Sequence, residues 1–189
     1  MPQARTITPK QAAAFVAFLQ TTKNASRNVC AFALTYYAGM RIAEVAALSV
    51  GDVLIATGSV RDVVYLTAAM TKGKNGREVF LNKTAKQHIA AHIRSANLKP
   101  ADALICTMGK RKRFSPNSLS IALKNLYVAA GYVGCSSHTG RRSFCTNLSN
   151  SGVGIRVIQK LSGHRSLQSV QPYLDANEDM VKNAAELVA

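Results

Sequence analysis

Apolar positions recur along this chain with two different periods, and the change of period predicts its elements. In the first part they recur every three or four residues, which is the spacing of amphipathic helices. Thr8-Pro9-Lys10-Gln11 predicts a helix start, with threonine as N-cap and proline at the first helical position, and this helix should run to about Gln20. A second helix over about 26–38 should end at Gly39, which readily adopts a left-handed cap, and a third should cover about 41–48.

The period changes to that of strands in the middle of the chain. Three segments there are rich in β-branched and aromatic residues, namely Val53–Ile55, Val60–Ala69 and Glu78–Leu81. Asn75-Gly76, between the last two segments, is typical of a tight hairpin turn. These features predict a small three-stranded antiparallel sheet.

Helical spacing returns after the sheet and continues to the C-terminus. Ser115-Pro116 repeats the pattern of a cap followed by proline, whereas Pro172 leaves 166–174 undecided because proline disturbs a helix interior. The predicted helices cover about 84–96, 116–131, 138–148, 155–161 and 176–188. We therefore expect an α+β fold that is mainly α-helical, with helices around the small sheet. A chain of 189 residues favours one compact domain over 1–189.

The length of the apolar runs and the spacing of the cysteines indicate the compartment and the state of the thiols. The apolar runs are too short to span a bilayer and the first ten residues contain no signal-peptide segment, so we expect a cytoplasmic protein with no membrane partner. The cysteines are widely spaced, which favours buried and reduced thiols. Cys135, His138 and Cys145 match no common zinc-site spacing and lack a fourth ligand.

The charge distribution adds a candidate partner. The chain has 24 Lys+Arg against 9 Asp+Glu, a formal net charge of +15, and no acidic residue occurs from Ala103 to Leu174. Such a stretch predicts a strong positive field that suits nucleic-acid phosphate. A basic face that only maintains solubility is the alternative, and for Lys110–Arg113 it is as well supported as a specific role. The basic residues of the stretch are Lys110, Arg111, Lys112, Arg113, Lys124, Arg141, Arg142, Arg156, Lys160 and Arg165.

Two arginines, two histidines and a tyrosine stand in an order that suggests chemistry on phosphate: Arg41, His138, Arg141, His164 and Tyr173. Breaking a phosphodiester requires that charge on the non-bridging oxygens be held, and arginine does this well because it is always protonated and forked. A nucleophile must also lose a proton and the leaving oxygen must gain one. The sequence shows no paired carboxylates that would hold Mg²⁺, so we predict neither a metal nor a cofactor.

Local spacing supports a shared site. Glu44 lies three residues after Arg41 and could hold its guanidinium in one orientation. His138 and Arg141 are also three apart, at a predicted helix start that attracts an anion and disfavours a charged imidazole. A neutral His138 would suit a proton acceptor. Taken singly, each of these residues is more often an ordinary surface or packing residue, so the hypothesis depends on their combination.

This combination resembles the tyrosine recombinase (phage integrase) family. The matching text is TYYAGMRIAEVAALSVGDV around the first arginine and HTGRRSFCTNLSNSGVGIRVIQKLSGHRSLQSVQPYLDAN through the tyrosine. The resemblance extends from about Thr8 to the C-terminus. It implies the catalytic-domain fold of that family and a site-specific recombinase or integrase that acts on double-stranded DNA without metal.

The resemblance also implies a role for each residue. Arg41 and Arg141 would clamp the scissile phosphate, and His138 would serve in proton transfer. His164 would donate a hydrogen bond to the phosphate, and Tyr173 would attack it to give a 3′-phosphotyrosine and a free 5′ hydroxyl.

The family uses a hairpin lysine as acid for the leaving oxygen. TKGKNGREVFL places Lys72 in register with that lysine, and Lys74, a predicted DNA contact, is its rival. A solvated hairpin lysine is the alternative for both. Further DNA contacts are expected from Lys110, Arg111, Lys112, Arg113 and Arg142.

The chain departs from the family pattern at several positions. Gly140 and Ser162 stand where the family commonly has leucine, and Pro172 directly precedes the tyrosine. The N-terminal DNA-binding domain of most members is not seen before the first arginine motif, so we expect a short single-domain member or a trimmed chain.

The sequence leaves two other functions open. One is a DNA-relaxing activity like that of type IB topoisomerases, which uses the same chemistry without assembly of several copies. The other is a DNA-binding accessory protein that does not cleave. The recombinase resemblance implies that the C-terminal helix over 176–188 links copies into a tetramer on DNA, whereas packing on its own domain is the alternative without DNA.

Overall fold

Helices dominate the structure and flank one small sheet. The computed structural model describes residues 4–71, 75–107, 111–173 and 185–186. The helices within these ranges are α1 (Pro9–Gln20), α2 (Ala25–Tyr36), α3 (Ile42–Ala47), α4 (Val50–Val53), α5 (Lys83–Ser95), α6 (Pro116–Ala129), α7 (Thr139–Asn150) and α8 (Ile155–Ser162). The strands are β1 (Val63–Leu66) and β2 (Arg77–Phe80).

Local capping chemistry explains why the predicted helix starts are confirmed. The Thr8 hydroxyl accepts from the Gln11 backbone N–H at 3.2 Å, and the Gln11 side chain accepts from the Thr8 N–H at 2.9 Å. These two bonds satisfy backbone donors that the first turn of α1 leaves free. Ser115 caps α6 in the same way by accepting from the Ser118 N–H at 3.1 Å.

The two strands pair antiparallel, as predicted for the hairpin. Val63 lies opposite Phe80, and Leu66 lies opposite Arg77. The chain between the strands includes residues 72–74, which lie outside the described residues, so the predicted turn at Asn75-Gly76 is only partly described. The register places Arg77 at the end of the hairpin nearest that turn.

The prediction of a third strand over Val53–Ile55 is wrong. Val53 is the last residue of the short helix α4, and of the other two residues only Leu54 makes an isolated bridge, to Val60. The cause is a capping box, because Ser49 donates its backbone N–H to the Asp52 carboxylate at 2.7 Å. That local bond starts a helical turn and overrides the strand preference of the β-branched residues.

Helix α2 lies at the centre of the core. Its residues from Asn28 to Tyr36 are all buried. Phe15 of α1 stacks on Tyr127 of α6 with ring centroids 4.3 Å apart, and its ring meets that of Phe32 edge-on at 5.1 Å. A rigid α2 therefore carries the chain into the turn at Gly39 that precedes Arg41.

Gly39 is needed for both its conformation and its size. Its φ is +62°, which favours glycine, and a Cβ there would lie 2.5 Å from Cδ1 of Phe144 on α7. The close approach brings the turn after α2 against α7. The turn that precedes Arg41 and the helix that carries Arg141 are joined in this way.

The C-terminal part of the described chain packs as a smaller cluster. Cys145, Ile158 and Val170 are buried together, and Tyr173 packs against them. The segment predicted as undecided forms short 3₁₀ turns at Leu167–Ser169 and Gln171–Tyr173, which accommodate Pro172. Of the helix predicted over 176–188, only residues 185–186 lie within the described ranges, and these two are helical.

The cysteine prediction is confirmed, since Cys30, Cys106, Cys135 and Cys145 are all buried free thiols. Within the described ranges, no helix has the length and apolar character needed to cross a bilayer. The same ranges contain no group of three or more His, Cys, Asp or Glu residues that could hold a metal ion.

Candidate active site

The five candidate residues of the sequence meet at one cavity. Its volume is about 930 Å³. The side chains that line it come from the start of α3, the start of α7, the turn after α8 and the segment that follows: Arg41, His138, Arg141, His164 and Tyr173. Lys124 and Arg142 add further positive charge to its wall. Residues up to 132 positions apart in the sequence (from 41 to 173) therefore share one basic site.

Arg41 is fixed at the start of α3. Its backbone N–H donates to Oε2 of Glu44 at 2.8 Å, and its Nη1 donates to Oε1 at 2.9 Å. Its Nη2 donates to the carbonyl oxygen of Gly163 at 2.9 Å. The Glu44 carboxylate thus holds the Arg41 side chain in one orientation, as the spacing of three residues suggested.

Glu44 also binds a second arginine that sequence reasoning missed. Arg77 donates from Nη2 to Oε2 at 2.7 Å and from Nε to Oε1 at 3.2 Å. Burial alone would raise the pKa of Glu44, but the hydrogen bonds and charge of Arg77, followed by those of Arg41, outweigh it and lower the pKa. Glu44 is therefore an ionised carboxylate between two guanidinium groups, and this cluster keeps a net positive charge.

Arg77 ties the β-hairpin to the end of α8. Its Nη1 donates to the carbonyl of Leu161 at 3.3 Å, and its side chain passes directly over Gly163. A Cβ on Gly163 would lie 2.5 Å from Cδ of Arg77, and the Gly163 φ is +66°. The only signal in the sequence was the place of Arg77 directly after Asn75-Gly76, which says nothing about a partner as distant as Glu44.

Arg141 is buried, with 5% of its surface exposed. Its Nη1 donates to the carbonyl of Gly39 at 2.6 Å, and its Nη2 lies 3.1 Å from Nε2 of His164. Burial and the nearby charge of Arg41 lower the pKa of Arg141 to about 10, so it stays protonated at neutral pH. Two contacts on different elements orient its guanidinium plane.

Close packing explains the departure from the family pattern at Gly140. A Cβ at this position would collide with the Thr35 side chain, because α7 crosses α2 there with no room to spare. The glycine lets α7 approach α2 closely. It thereby sets the depth at which the next residue, Arg141, is buried.

Both site histidines are neutral at pH 7. His138 stands directly before α7, and burial, followed by the charges of Arg141 and Arg41, lowers its pKa. The same three causes lower the pKa of His164 to about 4. The direction for His138 agrees with the expectation that a helix start disfavours a charged imidazole.

Tyr173 lies in the cavity that holds the arginines. Its ring stacks against His164 with centroids 5.7 Å apart and planes 28° apart. Cζ of Arg142 lies 5.5 Å from the centroid of the tyrosine ring, and the Tyr173 backbone N–H donates to Val170 at 2.9 Å. The ring is therefore contacted by an imidazole and a guanidinium.

Apart from Arg142, the predicted DNA contacts lie in the β-hairpin and in the basic loop over 110–113, and only some of them are described. Lys72, Lys74 and Lys110 lie outside the described residues. The rest of the loop, Arg111, Lys112 and Arg113, is exposed.

The Arg111 and Arg113 side chains, although exposed, bind carbonyl groups within the protein. Arg113 donates to the carbonyls of Ala46, Ala47 and Leu48 at the end of α3. Arg111 donates to the carbonyls of Ala96 and Asn97 after α5, and to Asp102 at 3.2 Å. These arginines stabilise helix ends, a structural use that the sequence did not reveal. Their DNA contacts stay a prediction.

Comparison with known proteins agrees with this geometry. The model of the phage integrase family matches residues 5–180. This chain belongs to the phage integrase family. Among curated relatives, tyrosine recombinase XerD of Oceanobacillus iheyensis is 30% identical over 169 residues, covering 86% of this chain and 54% of the relative. XerD of Caulobacter vibrioides is 34% identical over 157 residues, covering 78% and 48%. This chain therefore spans about half the length of these relatives.

Solved structures show the same fold. The crystal structure of XerA recombinase superposes with a TM-score of 0.77 at 18% identity, covering 99% of this chain and 66% of that one. The Tn1549 transposon integrase in complex with circular intermediate DNA gives a TM-score of 0.76 at 19% identity, covering 98% and 66%. The fold predicted from the family resemblance is thus confirmed, with two strands in the described sheet instead of three.

Proposed function

We propose that this chain is the catalytic part of a site-specific DNA recombinase that cuts and rejoins strands through a covalent bond to Tyr173. The observation that carries the proposal is the convergence of Arg41, His138, Arg141, His164 and Tyr173 on one basic cavity. Membership of the phage integrase family supports it. So do relatives that carry the name tyrosine recombinase, and a fold neighbour whose structure contains DNA.

A phosphodiester in this cavity would meet two guanidinium groups already held in place. Arg41 is fixed by Glu44 and Gly163, and Arg141 by Gly39 and His164. Each guanidinium has five N–H donors, so both retain donors for phosphate oxygens. Because these donors are oriented before the reaction, they stabilise the charge that grows on the phosphate oxygens with little reorganisation.

The proton of the nucleophile requires an acceptor, and His138 suits this role. A neutral imidazole can accept the phenol proton as Oη of Tyr173 attacks phosphorus. The new bond joins Oη to phosphorus, and the bond from phosphorus to the 5′ oxygen breaks. The products are a 3′-phosphotyrosine and a 5′ hydroxyl whose proton comes from a general acid. The family resemblance assigns that acid to Lys72, with Lys74 as the rival.

Rejoining reverses these steps. A 5′ hydroxyl attacks the phosphotyrosine and gives its proton to the group that served as general acid, while the Tyr173 oxygen leaves and takes its proton back from His138. The phosphotyrosine conserves the energy of the broken bond, so the proposed reaction needs no external energy source.

The proposed partner is double-stranded DNA, which the formal net charge of +15 favours. We also propose that copies assemble into a tetramer on DNA through the segment over 176–188, and that this takes place in the cytoplasm. The apolar residues of that segment support assembly: Met180, Val181, Ala184, Leu187 and Val188. Chemical cross-linking on DNA should lose its multimeric products when the chain is cut before residue 176, and unchanged products would contradict the assembly route.

Covalent capture tests the proposed activity without knowledge of the DNA site. A library of randomised, nicked duplexes is incubated with the protein, and DNA that stays bound after denaturation is sequenced. The nick releases the 5′ hydroxyl fragment and traps the covalent intermediate. We expect wild type to recover a defined sequence class, whereas Arg41→Ala and Arg141→Lys should bind the recovered duplexes yet form far less adduct.

Arg156→Ala is the matched control, because this exposed arginine of α8 lies outside the cavity. It should weaken binding without loss of adduct at saturating DNA. Wild-type binding with no adduct would contradict the proposed enzyme. Relaxation of supercoiled plasmids that lack the recovered site would instead indicate topoisomerase-like activity.

A further inference from the structure

Arg77 joins the β-hairpin to the groups that surround Arg41. It is the first residue of β2, and 12% of its side chain is exposed. Its Nε and Nη2 donate to Oε1 and Oε2 of Glu44 at 3.2 and 2.7 Å, so one guanidinium engages both oxygens of the carboxylate. Such a paired contact fixes the orientation of a carboxylate in addition to compensating its charge.

Both oxygens of Glu44 also bind Arg41. Oε1 accepts from Nη1 of Arg41 at 2.9 Å, and Oε2 accepts from its backbone N–H at 2.8 Å. Each carboxylate oxygen therefore receives one bond from Arg41 and one from Arg77. The Glu44 side chain is 1% exposed, and a buried carboxylate depends on such partners for its position because water does not reach it.

Arg77 also contacts the second group that holds the Arg41 guanidinium. Nη2 of Arg41 donates to the carbonyl of Gly163 at 2.9 Å. The Arg77 side chain lies directly on Gly163, where a Cβ would come within 2.5 Å of Cδ of Arg77. Nη1 of Arg77 donates to the carbonyl of Leu161, two residues earlier, at 3.3 Å. Both partners that fix the Arg41 guanidinium, Glu44 and Gly163, are thus held in turn by Arg77.

We propose that Arg77 is a positioning residue for strand cleavage, which orients Arg41 through Glu44 and Gly163. The catalytic meaning of this inference rests on the proposed function. Hydrogen bonds to other groups of the protein engage Nε, Nη1 and Nη2 of Arg77, so its guanidinium is already committed to the fold. Arg77 also lines a smaller cavity of about 380 Å³ beside Arg41, so a direct contact with DNA is the alternative that the experiment must separate.

Arginine side-chain NMR of the intact chain tests the orienting role without DNA. An Arg41→Lys variant identifies the Nε and Nη signals of Arg41 in protein labelled with ¹⁵N-arginine. In wild type the Arg41 guanidinium should rotate slowly, because both of its Nη groups are hydrogen-bonded. In Arg77→Lys, which keeps a cation but cannot form the paired contact, rotation should be faster and the Nη signals should merge. Unchanged Arg41 signals in Arg77→Lys would overturn the proposal.

His92→Gln is the matched control for the change of a buried polar side chain. His92 is 2% exposed and contacts Oγ of Ser26 at 3.1 Å and the carbonyl of Leu104 at 3.0 Å, and it lines neither the active-site cavity nor the smaller one. The variant should lose stability in urea unfolding and leave the Arg41 signals and the rate of adduct formation unchanged. The same change of the Arg41 signals in both variants would show a general packing effect and contradict the specific role of Arg77.

A double-mutant cycle with Arg41→Ala tests the catalytic consequence. Rates of adduct formation are measured at saturating DNA that carries sulfur in place of the leaving 5′ oxygen, because a thiolate leaves without a proton and keeps slow variants measurable. Arg77→Gln should lower the rate by about ten- to hundredfold when Arg41 is present, and by less than about twofold in Arg41→Ala, since its effect passes through Arg41. Equal losses in both backgrounds would show a direct contact with DNA and overturn the proposal.

Arg77→Lys separates orientation from charge and gives the same cycle if Arg77→Gln does not fold. It should recover only part of the lost rate, because a lysine cannot hold both carboxylate oxygens. Recovery of the full rate would show that charge alone suffices and that the orienting role is wrong. Absence of adduct from wild type would contradict the proposed function, whereas the NMR comparison would still decide whether Arg77 orients Arg41.

Discussion

Arg41 donates from Nη2 to the carbonyl of Gly163 at 2.9 Å, which ties the first arginine of the site to the turn that presents His164. The next residue along the chain, His164, contacts Arg141. The two arginines are thus oriented by adjacent residues of one turn. A change at that turn therefore reaches both arginines of the site at once.

Glu44→Gln should strongly destabilise the fold. The substitution removes the buried negative charge between Arg41 and Arg77 and leaves two guanidinium groups without a counter-charge. Loss of one partner from a buried ion pair costs about 3–5 kcal/mol, which urea unfolding would measure. Asp62→Asn is the control, because its pair with Lys86 is exposed and should matter little. Equal effects of the two substitutions would contradict the buried cluster.

The stability of the fold should decrease as the pH falls from about 6.5 to about 4, with His164 as one cause. Its pKa is about 4 when folded and near 6.5 when unfolded, so within this window the unfolded chain binds a proton that the folded site excludes. Above this window His164 makes its full contribution to the free energy of unfolding. Below the window that contribution no longer changes with pH. Thermal melting across this range should show a weaker pH dependence in His164→Asn. Parallel curves for the two proteins would contradict the lowered pKa.

Arg142→Gln should slow attack by Tyr173 more than it weakens DNA binding. The Arg142 guanidinium lies 5.5 Å from the tyrosine ring centroid, a cation–π contact worth about 0.5–1 kcal/mol. Adduct formation at saturating DNA should therefore fall by roughly two- to fivefold. Arg142→Lys, which keeps a cation, should lose less. An unchanged rate at saturation, with only weaker and less salt-sensitive binding, would show that Arg142 contacts DNA alone.

Arg113→Gln and Lys112→Gln should separate structure from DNA binding within one basic loop. Arg113 binds three carbonyls at the end of α3, so its loss should cost about 1–3 kcal/mol in urea unfolding. Lys112 is exposed, so its substitution should leave stability unchanged and reduce the salt dependence of DNA binding. The reverse pattern would show that the capping bonds of Arg113 contribute nothing.

The sequence predicted features that local chemistry determines. The start of α1 depends on bonds among four consecutive residues, so Thr8-Pro9-Lys10-Gln11 was enough to place it. The site arginines and histidines were found because their order and spacing match a family pattern. The same logic failed at α4, where the Ser49 and Asp52 capping box outweighed the strand preference of the following residues.

Features that depend on distant partners could not be predicted. Arg77 reaches Glu44 across 33 positions, and Arg113 reaches Ala46 across 67, and neither pair has a sequence spacing that indicates contact. The contact between Arg141 and His164 likewise joins residues 23 positions apart. Such relationships appear only when the elements are packed against one another.

The central claim is that Tyr173 is the nucleophile, and the attachment site of the DNA tests it most directly. Mass spectrometry of protease- and nuclease-digested adducts should find a nucleotide 3′-phosphate on the peptide that contains Tyr173. Tyr173→Phe should give no adduct, whereas Tyr65→Phe, which alters an exposed tyrosine of β1, should give the wild-type amount. A nucleotide on another residue, or an adduct that persists in Tyr173→Phe, would contradict the account.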